Sequence, residues 1–193
     1  STWGHGVLLD ASNSARLLQT SLAVAYESLS GHALVAWAES GDPNVYYSTW
    51  NGTQWSSANA ASDFDDDDAS LVPQYIKLAS DPLSDRIALA VTLTDGSSAR
   101  QAAFAIWSGS GWSSLALPAS GNDIGSAADV AFDSRSGTLL AVYQGADNKL
   151  QYRTHTAAGG WSAEAAGPDV GNEPMALDLV ADAGLAMTGM ETG

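Results

Sequence analysis

Short apolar runs separated by turn residues fill this chain, and the apolar spacing of an amphipathic helix is not found along it. In the first block, apolar runs at 22–26, 33–37 and 45–50 are separated by turns at Ser30-Gly31 and at 41–44. An Asn51-Gly52 turn, typical of a hairpin, then leads to Trp55. The pattern predicts a four-stranded antiparallel meander whose last strand lies around Trp55.

The block recurs at intervals of about fifty residues, which indicates a repeat protein. A turn bounded by large side chains marks each copy: Trp3 to Leu8, Trp50 to Trp55, Trp107 to Trp112 and His155 to Trp161. An acidic residue that closes an apolar run before a turn marks each copy a second time: Glu27, Asp81, Asp133 and Asp182. Two independent markers with one period predict repeated units of the same fold.

The two ends of the chain complement each other. Residues 1–10 resemble the last two strands of a repeat, and 175–193 resemble the first two. The prediction is a single repeat domain over 1–193 whose first and last residues belong to the same four-stranded unit, here called a blade. Its parts are the end of a split blade at 1–16, whole blades at 17–70, 71–122 and 123–172, and the start of the split blade at 173–193.

This organisation predicts an all-β fold, a β-propeller of four-stranded antiparallel blades with four blades, one of them split between the termini. A β-sandwich, or part of a larger propeller, is the alternative. The split blade can close within one chain, or strands of one molecule can complete the blade of the next and build a ring or a fibre. The residues expected at this closure or assembly contact are Trp3, Leu8, Leu177, Leu179 and Leu185.

Charge and composition narrow the function classes. The chain has 22 Asp and Glu against 7 Lys and Arg, a net charge of −15, which argues against nucleic acid as a partner. Cysteine is absent, which excludes disulfides and thiolate chemistry, and no apolar run is long enough for membrane insertion. The acidic, lysine-poor composition favours an extracellular or cell-surface location. The start at Ser1 without Met agrees with processing or with a fragment of a longer protein.

Two interpretations of the aromatic columns stay open. Large aromatics at fixed places in each repeat can fill the wedge between neighbouring sheets. They can also stack on sugar rings, which would make glycans the partners. The candidate residues for sugar stacking are Trp50, Trp107, Trp161, Tyr47 and Tyr152.

The acidic run of 63–68 offers a candidate metal site. Bound Ca²⁺ would relieve the repulsion among these five carboxylates, although a solvated acidic loop is the ordinary explanation of such a charge run. The candidate ligands are Asp63, Asp65, Asp66, Asp67 and Asp68. No other cofactor is indicated. The acidic column of Glu27, Asp81, Asp133 and Asp182 fits turn chemistry, in which carboxylates accept backbone N–H bonds. His155 fits a packing role in a tryptophan position.

The segments Ala33 to Trp55 and Leu139 to Trp161 resemble the repeats of fucose-binding propeller lectins, and more loosely the Asp-box turns of sialidase-like propellers. The resemblance implies blade geometry. It does not bring over the fucose site, because Val35, Ala36 and Ala141 fall where the lectins carry Arg. Tyr47 and Tyr152 fall near their Glu position.

Three functions follow as hypotheses. The first is a non-enzymatic extracellular or surface module that acts in adhesion, matrix or subunit assembly, with itself as partner and a self-assembling filament subunit as its sharpest form. The second is a lectin-like carbohydrate-binding propeller. The third and weakest is a glycoside-active propeller whose acid pair comes from the acidic column.

Overall fold

A computed structural model describes residues 21–61, 71–95, 100–116, 128–145, 149–168, 176–180 and 186–190. The regular elements in these ranges are all β-strands, which confirms the all-β prediction, and none of the described segments forms a helix able to cross a membrane. The strands are β1 (Leu22–Tyr26), β2 (Ala33–Ala38), β3 (Val45–Trp50), β4 (Asn59–Ala60), β5 (Val72–Ser80), β6 (Ile87–Thr94), β7 (Arg100–Trp107), β8 (Trp112–Ala116), β9 (Ala128–Phe132), β10 (Leu139–Gln144), β11 (Leu150–Thr156), β12 (Gly160–Trp161), β13 (Ala165–Ala166), β14 (Ala176–Val180) and β15 (Ala186–Met190).

The strands form three antiparallel sheets of the predicted meander type and one hairpin. Sheet 1 has the order β1-β2-β3-β4 and sheet 2 the order β5-β6-β7-β8. Sheet 3 runs β9-β10-β11-β12, with β13 also paired to β11. The strands β14 and β15 form a separate two-stranded sheet, here called the terminal hairpin.

One local prediction is wrong. The last strand of sheet 1 does not lie around Trp55, which makes only a single bridge to Trp50. The fourth strand is β4, which pairs with Tyr46 and Tyr47. The tight 51–54 turn places Trp55 beside Trp50, and the chain then needs a further excursion before it can pair again along β3.

The sheets pack face to face in chain order. Sheets 1 and 2 enclose a core that includes Leu34, Ile76 and Leu89, and sheets 2 and 3 enclose a second core that includes Phe104, Phe132 and Leu139. The first strands of successive units also contact one another, since β1 packs against β5, β5 against β9, and β9 against β14. The strands β6 and β9 are buried along their whole length, which indicates that both faces of each strand are covered. The division into blades and their closure into a ring stay predictions.

Candidate functional site

The acidic column lies in three turns that share one hydrogen-bond pattern. After β5, Asp81 accepts the Leu83 N–H at 2.9 Å with Oδ1 and the Ser84 hydroxyl at 2.6 Å with Oδ2. After β9, Asp133 accepts the Arg135 N–H at 3.1 Å and the Ser136 hydroxyl at 2.6 Å. The hydrogen bond from Ser136 holds the pKa of Asp133 below its ordinary value.

Glu27, the first member of the column, accepts one hydrogen bond within its own turn and another from the neighbouring sheet. Its Oε2 accepts the Ser30 hydroxyl within its own turn, and its Oε1 accepts the indole N–H of Trp107 at 2.7 Å. The additional methylene of Glu relative to Asp allows this carboxylate to reach sheet 2. The predicted turn chemistry, in which a carboxylate accepts backbone N–H bonds, is confirmed for Asp81 and Asp133. Glu27 differs, because its carboxylate accepts the Ser30 hydroxyl and the Trp107 indole N–H instead. Asp182 lies outside the described residues.

Neighbouring turns are bonded to one another. The Ser28 hydroxyl donates to the carbonyl of Asp81 at 2.7 Å, and Asp85 Oδ1 accepts the N–H groups of Leu29 and Ser30 at 2.7 and 2.9 Å. One repeat later, Arg86 donates to the carbonyl of Gly137 at 2.7 Å while it is ion-paired with Asp81 at 2.6 Å. The turns therefore tie sheet 1 to sheet 2 and sheet 2 to sheet 3 at the same end of the strands.

A second connection between sheets is made by aromatic side chains. Tyr47 on β3 contacts Trp107 and Trp112, with ring centroids 5.3 and 5.8 Å apart and edge-on geometry, and the two tryptophans lie 5.6 Å from each other. We call this an aromatic joint: one ring of a sheet packs against an aromatic pair of the next sheet. Trp107 is only 5% exposed as a result.

The joint recurs between sheets 2 and 3. The pairings Ala33↔Trp50, Ile87↔Trp107 and Leu139↔His155 align the third strands of the three sheets. In this alignment Tyr47, Phe104 and Tyr152 are equivalent. Phe104 lies 6.1 Å from Trp161 and 5.7 Å from Tyr143, and Trp161 is itself 5.1 Å from His155. His155 thus replaces a tryptophan of the column in a packing role.

Each end of the row of sheets carries half of such a joint. In sheet 1, Trp50 and Trp55 form the aromatic pair, 5.6 Å apart and partly exposed. In sheet 3, Tyr152 is the corresponding single ring. It lines an apolar pocket of about 220 Å³ together with Leu140, Val142, Leu150, Gly167 and Pro168. We call this the Tyr152 pocket.

The first strand of sheet 1 is also uncovered. Leu22, Val24 and Tyr26, which alternate along β1, are 58%, 57% and 61% exposed, whereas Ala25 between them is buried against the core. We call these three side chains the outer face of β1. An apolar row of this kind along an edge strand is an interaction surface or an aggregation hazard.

The structure places the predicted site residues in different environments. Of the sugar-stacking candidates, Tyr47 and Trp107 share one joint, Trp161 belongs to the second, and Trp50 and Tyr152 lie at the two ends. Leu177 and Leu179 lie on β14. The assembly residues Trp3, Leu8 and Leu185 and the Ca²⁺ candidates Asp63, Asp65, Asp66, Asp67 and Asp68 lie outside the described residues.

Several residues of the joints were not predicted as site residues from the sequence. Trp112 and Trp55 close the turns of the tryptophan column, so their spacing was a usable signal. Phe104 and Tyr143 sit within continuous apolar runs, and nothing in those runs marks them as partners. Within the ranges that the structure describes, no group of three acidic or histidine side chains is placed to hold a metal, and the Ca²⁺ site in 63–68 stays a prediction.

The sequence matches no family model and no curated protein. Among solved structures, a chain described as "Hadza microbial sialidase Hz136" is similar, with 14% sequence identity and a TM-score of 0.49 over 74% of this chain and 36% of that one. The present chain therefore spans little more than a third of the length of that sialidase.

Proposed function

We propose that this chain is a β-propeller-type module without catalytic activity that acts outside the cell by assembling with further copies of itself. The observation that carries the proposal is the uncovered outer face of β1. This face is apolar, and the equivalent faces of the later sheets are buried by the sheet that precedes them. We therefore expect a further sheet of the same kind to cover it.

Internal comparison supports this. The residues before Glu27, Asp81 and Asp133 align, so that Val24 corresponds to Leu78 and to Val130. Leu78 is buried in the core shared with sheet 1, and Val130 in the core shared with sheet 2. The same face of the first strand is therefore buried wherever a sheet precedes it, and it is exposed in sheet 1, which no described sheet precedes.

The opposite end of the row presents a different surface, with the terminal hairpin against β9 and the Tyr152 pocket beside it. The two ends are thus unlike and can join head to tail. A heterologous contact of this type builds a closed ring or an open fibre rather than a two-fold dimer.

The absence of catalysis in this proposal rests on the acidic column. A glycoside-cleaving pair needs two carboxyl groups that face a substrate. The carboxylates of Glu27, Asp81 and Asp133 instead accept hydrogen bonds within and between turns.

The test is the solution mass by light scattering across protein concentration, for the native chain and for Val24→Asp. A charge on the outer face of β1 should abolish assembly and leave the circular dichroism of the sheets unchanged. Ala157→Asp, which adds the same charge at an exposed turn of sheet 3, is the matched control and should assemble normally. Leu179→Asp on β14 probes the other end. A native chain that stays monomeric at all concentrations contradicts the proposal.

A second function, carbohydrate binding, is favoured by the partly exposed pair of Trp50 and Trp55. Adjacent indole rings at a surface can stack on a sugar ring. A glycan array with fluorescence titration tests this: Trp50→Ala and Trp55→Ala should lose binding while the fold survives. Trp107→Ala serves as the comparison, because that ring is buried and its loss should lower stability. An array without a reproducible hit would remove this candidate.

A further inference from the structure

The aromatic joint is the most specific connection between successive sheets, because it joins one ring to a pair rather than one smooth surface to another. In the part of the chain that the structure describes it occurs twice, where Tyr47 packs against Trp107 and Trp112, and where Phe104 packs against Trp161. The third equivalent ring, Tyr152, is in place but borders a pocket rather than an aromatic pair.

The shape and chemistry of the Tyr152 pocket fit the missing half of a joint. The pocket is open on one side of sheet 3 and is lined by side chains of β10 and β11, such as Leu140, Val142 and Leu150. Leu140 and Val142 correspond to Ala88 and Ala90 of sheet 2, which are buried beneath sheet 3. The pocket therefore lies on the face that receives the next sheet elsewhere in the chain.

The chain contains one further copy of the turn that carries these aromatic pairs, with a leucine in the place of the second ring. Trp3 and Leu8 have the same five-residue spacing as Trp50 and Trp55, and they lie in the N-terminal residues outside the described ranges. Their column position is the one occupied by Trp107 and Trp112, the pair that receives Tyr47. Residues 1–10 thus carry the side chains that the pocket lacks.

We propose that residues 1–10 of a second copy of the chain dock in the Tyr152 pocket, with Trp3 and Leu8 packed against Tyr152 as the third aromatic joint. This inference rests on the proposed assembly function and adds the contacting segments to it. The donor is a second copy because closure within one chain would bring the completed fourth sheet over β1. In the chain itself the outer face of β1 is exposed, and the described strand β14 packs against β9.

The experiment uses the absence of cysteine from the full chain. The variant Leu8→Cys/Leu140→Cys places one thiol in the N-terminal segment and one in the wall of the pocket. Mild oxidation should give disulfide-linked dimers and higher species on a non-reducing gel. The control Leu8→Cys/Ala157→Cys, whose second thiol is on an exposed turn of the same sheet, should give at least fivefold fewer.

Three outcomes are decisive. Intermolecular bonds in the test pair alone support the proposal. An intramolecular bond, seen as a compact monomer, overturns it, because the segment then closes its own chain. Equal cross-linking of test and control overturns it as well, because the pocket then has no preference for the segment.

A second measurement does not depend on cysteine. Tyr152→Ala should raise the concentration needed for half-maximal assembly by about tenfold, the effect of losing one aromatic contact, and Tyr152→Phe should leave it within about twofold. Assembly that survives Tyr152→Ala but fails in Val24→Asp would refute this docking mode and leave the proposed function standing. A native chain without any assembly would refute the proposed function itself.

Discussion

The indole N–H of Trp107 donates a hydrogen bond of 2.7 Å to Oε1 of Glu27, a residue 80 positions earlier in the chain. The bond joins the last residue of β7 in sheet 2 to the turn that follows β1 in sheet 1. Both side chains are buried, so the bond gives each of these two polar atoms a partner away from solvent. A marker of one repeat is thus bonded to a marker of the next.

Replacement of Glu27 should separate the two tasks of its carboxylate. Glu27→Ala leaves the Trp107 N–H buried without an acceptor and releases Ser30, and we expect a loss of about 2–3 kcal/mol in the free energy of unfolding. Glu27→Gln keeps an acceptor for Trp107 and should cost about 1 kcal/mol. Urea denaturation followed by tryptophan fluorescence measures both. Equal losses would show that the Trp107 bond does not matter.

Arg86 and Asp81 form the corresponding connection between sheets 2 and 3, with different chemistry. The guanidinium bonds Asp81 through Nε at 3.0 Å and Nη2 at 2.6 Å, and Nη2 also reaches the Gly137 carbonyl. The cation lies 5.3 Å from the centre of the Phe132 ring. Because Asp81 is fully buried, Arg86→Ala should leave an uncompensated carboxylate and destabilise the fold by about 3–5 kcal/mol.

The conservative variant distinguishes charge from geometry. Arg86→Lys keeps the positive charge but not the planar fork, and it should recover part of the loss. The double variant Arg86→Met/Asp81→Asn removes both charges and should be more stable than Arg86→Ala. A double variant no better than Arg86→Ala would mean that the buried charge of Asp81 is not the cause.

The periodicity of the sequence was sufficient to predict the β-strands, their meander order and the repeat, because apolar alternation and turn residues are local signals. It was also sufficient to predict that Asp81 and Asp133 accept hydrogen bonds within their turns, since a carboxylate directly before a Ser-containing turn has these donors nearby. It could not predict that Glu27 reaches Trp107 or that Phe104 meets Trp161, because such contacts depend on how two sheets are set against each other. The position of the fourth strand of sheet 1 was predicted wrongly for a similar reason. Trp55 is a residue typical of β-strands, but the tight turn before it allows only a single bridge, to Trp50.

Two equivalent glycines allow the free-energy cost of close packing between neighbouring turns to be measured separately from the cost of backbone strain. Gly31 and Gly137 occupy equivalent places in the turns that follow β1 and β9, with φ of 72° and 64°. A Cβ at Gly31 would meet nothing within 4 Å, whereas one at Gly137 would lie 3.1 Å from Arg86 Nη2. Gly31→Ala should therefore cost about 1 kcal/mol for the left-handed backbone alone, and Gly137→Ala should cost more, about 2 kcal/mol, by disturbing the ion pair. Thermal unfolding of both variants measures the difference, and equal costs would contradict the packing argument.

The acidic run at 63–68 makes its own prediction. If Ca²⁺ binds there, millimolar Ca²⁺ should raise the unfolding temperature in proportion to the logarithm of its concentration, and EDTA should reverse the effect. Mg²⁺ at the same concentration controls for screening of the net charge. Asp66→Asn/Asp67→Asn should abolish the shift, and a shift that persists in this variant would place the ion elsewhere.

His155 predicts how stability depends on pH. Burial, and secondarily the nearby Arg86 cation, holds the pKa of His155 below the ordinary value of 6.5. The folded chain therefore binds fewer protons than the unfolded chain once the pH falls below about 6.5, where the unfolded imidazole becomes charged. The stability due to neutral His155 is fully present above that pH and is lost as the pH falls toward the pKa of the folded state.

His155→Phe keeps a ring against Trp161 and removes the titrating group. Free energies of unfolding measured from pH 8 to 5.5 should fall for the native chain and fall less steeply for the variant. His32→Phe is the control, because that side chain is exposed and lies 3.5 Å from Glu27 rather than beneath Trp161. Parallel curves for the native chain and His155→Phe would show that another group causes the loss. A steeper curve for the variant would reverse the assigned sign, because it would mean that the folded state favours the charged imidazole.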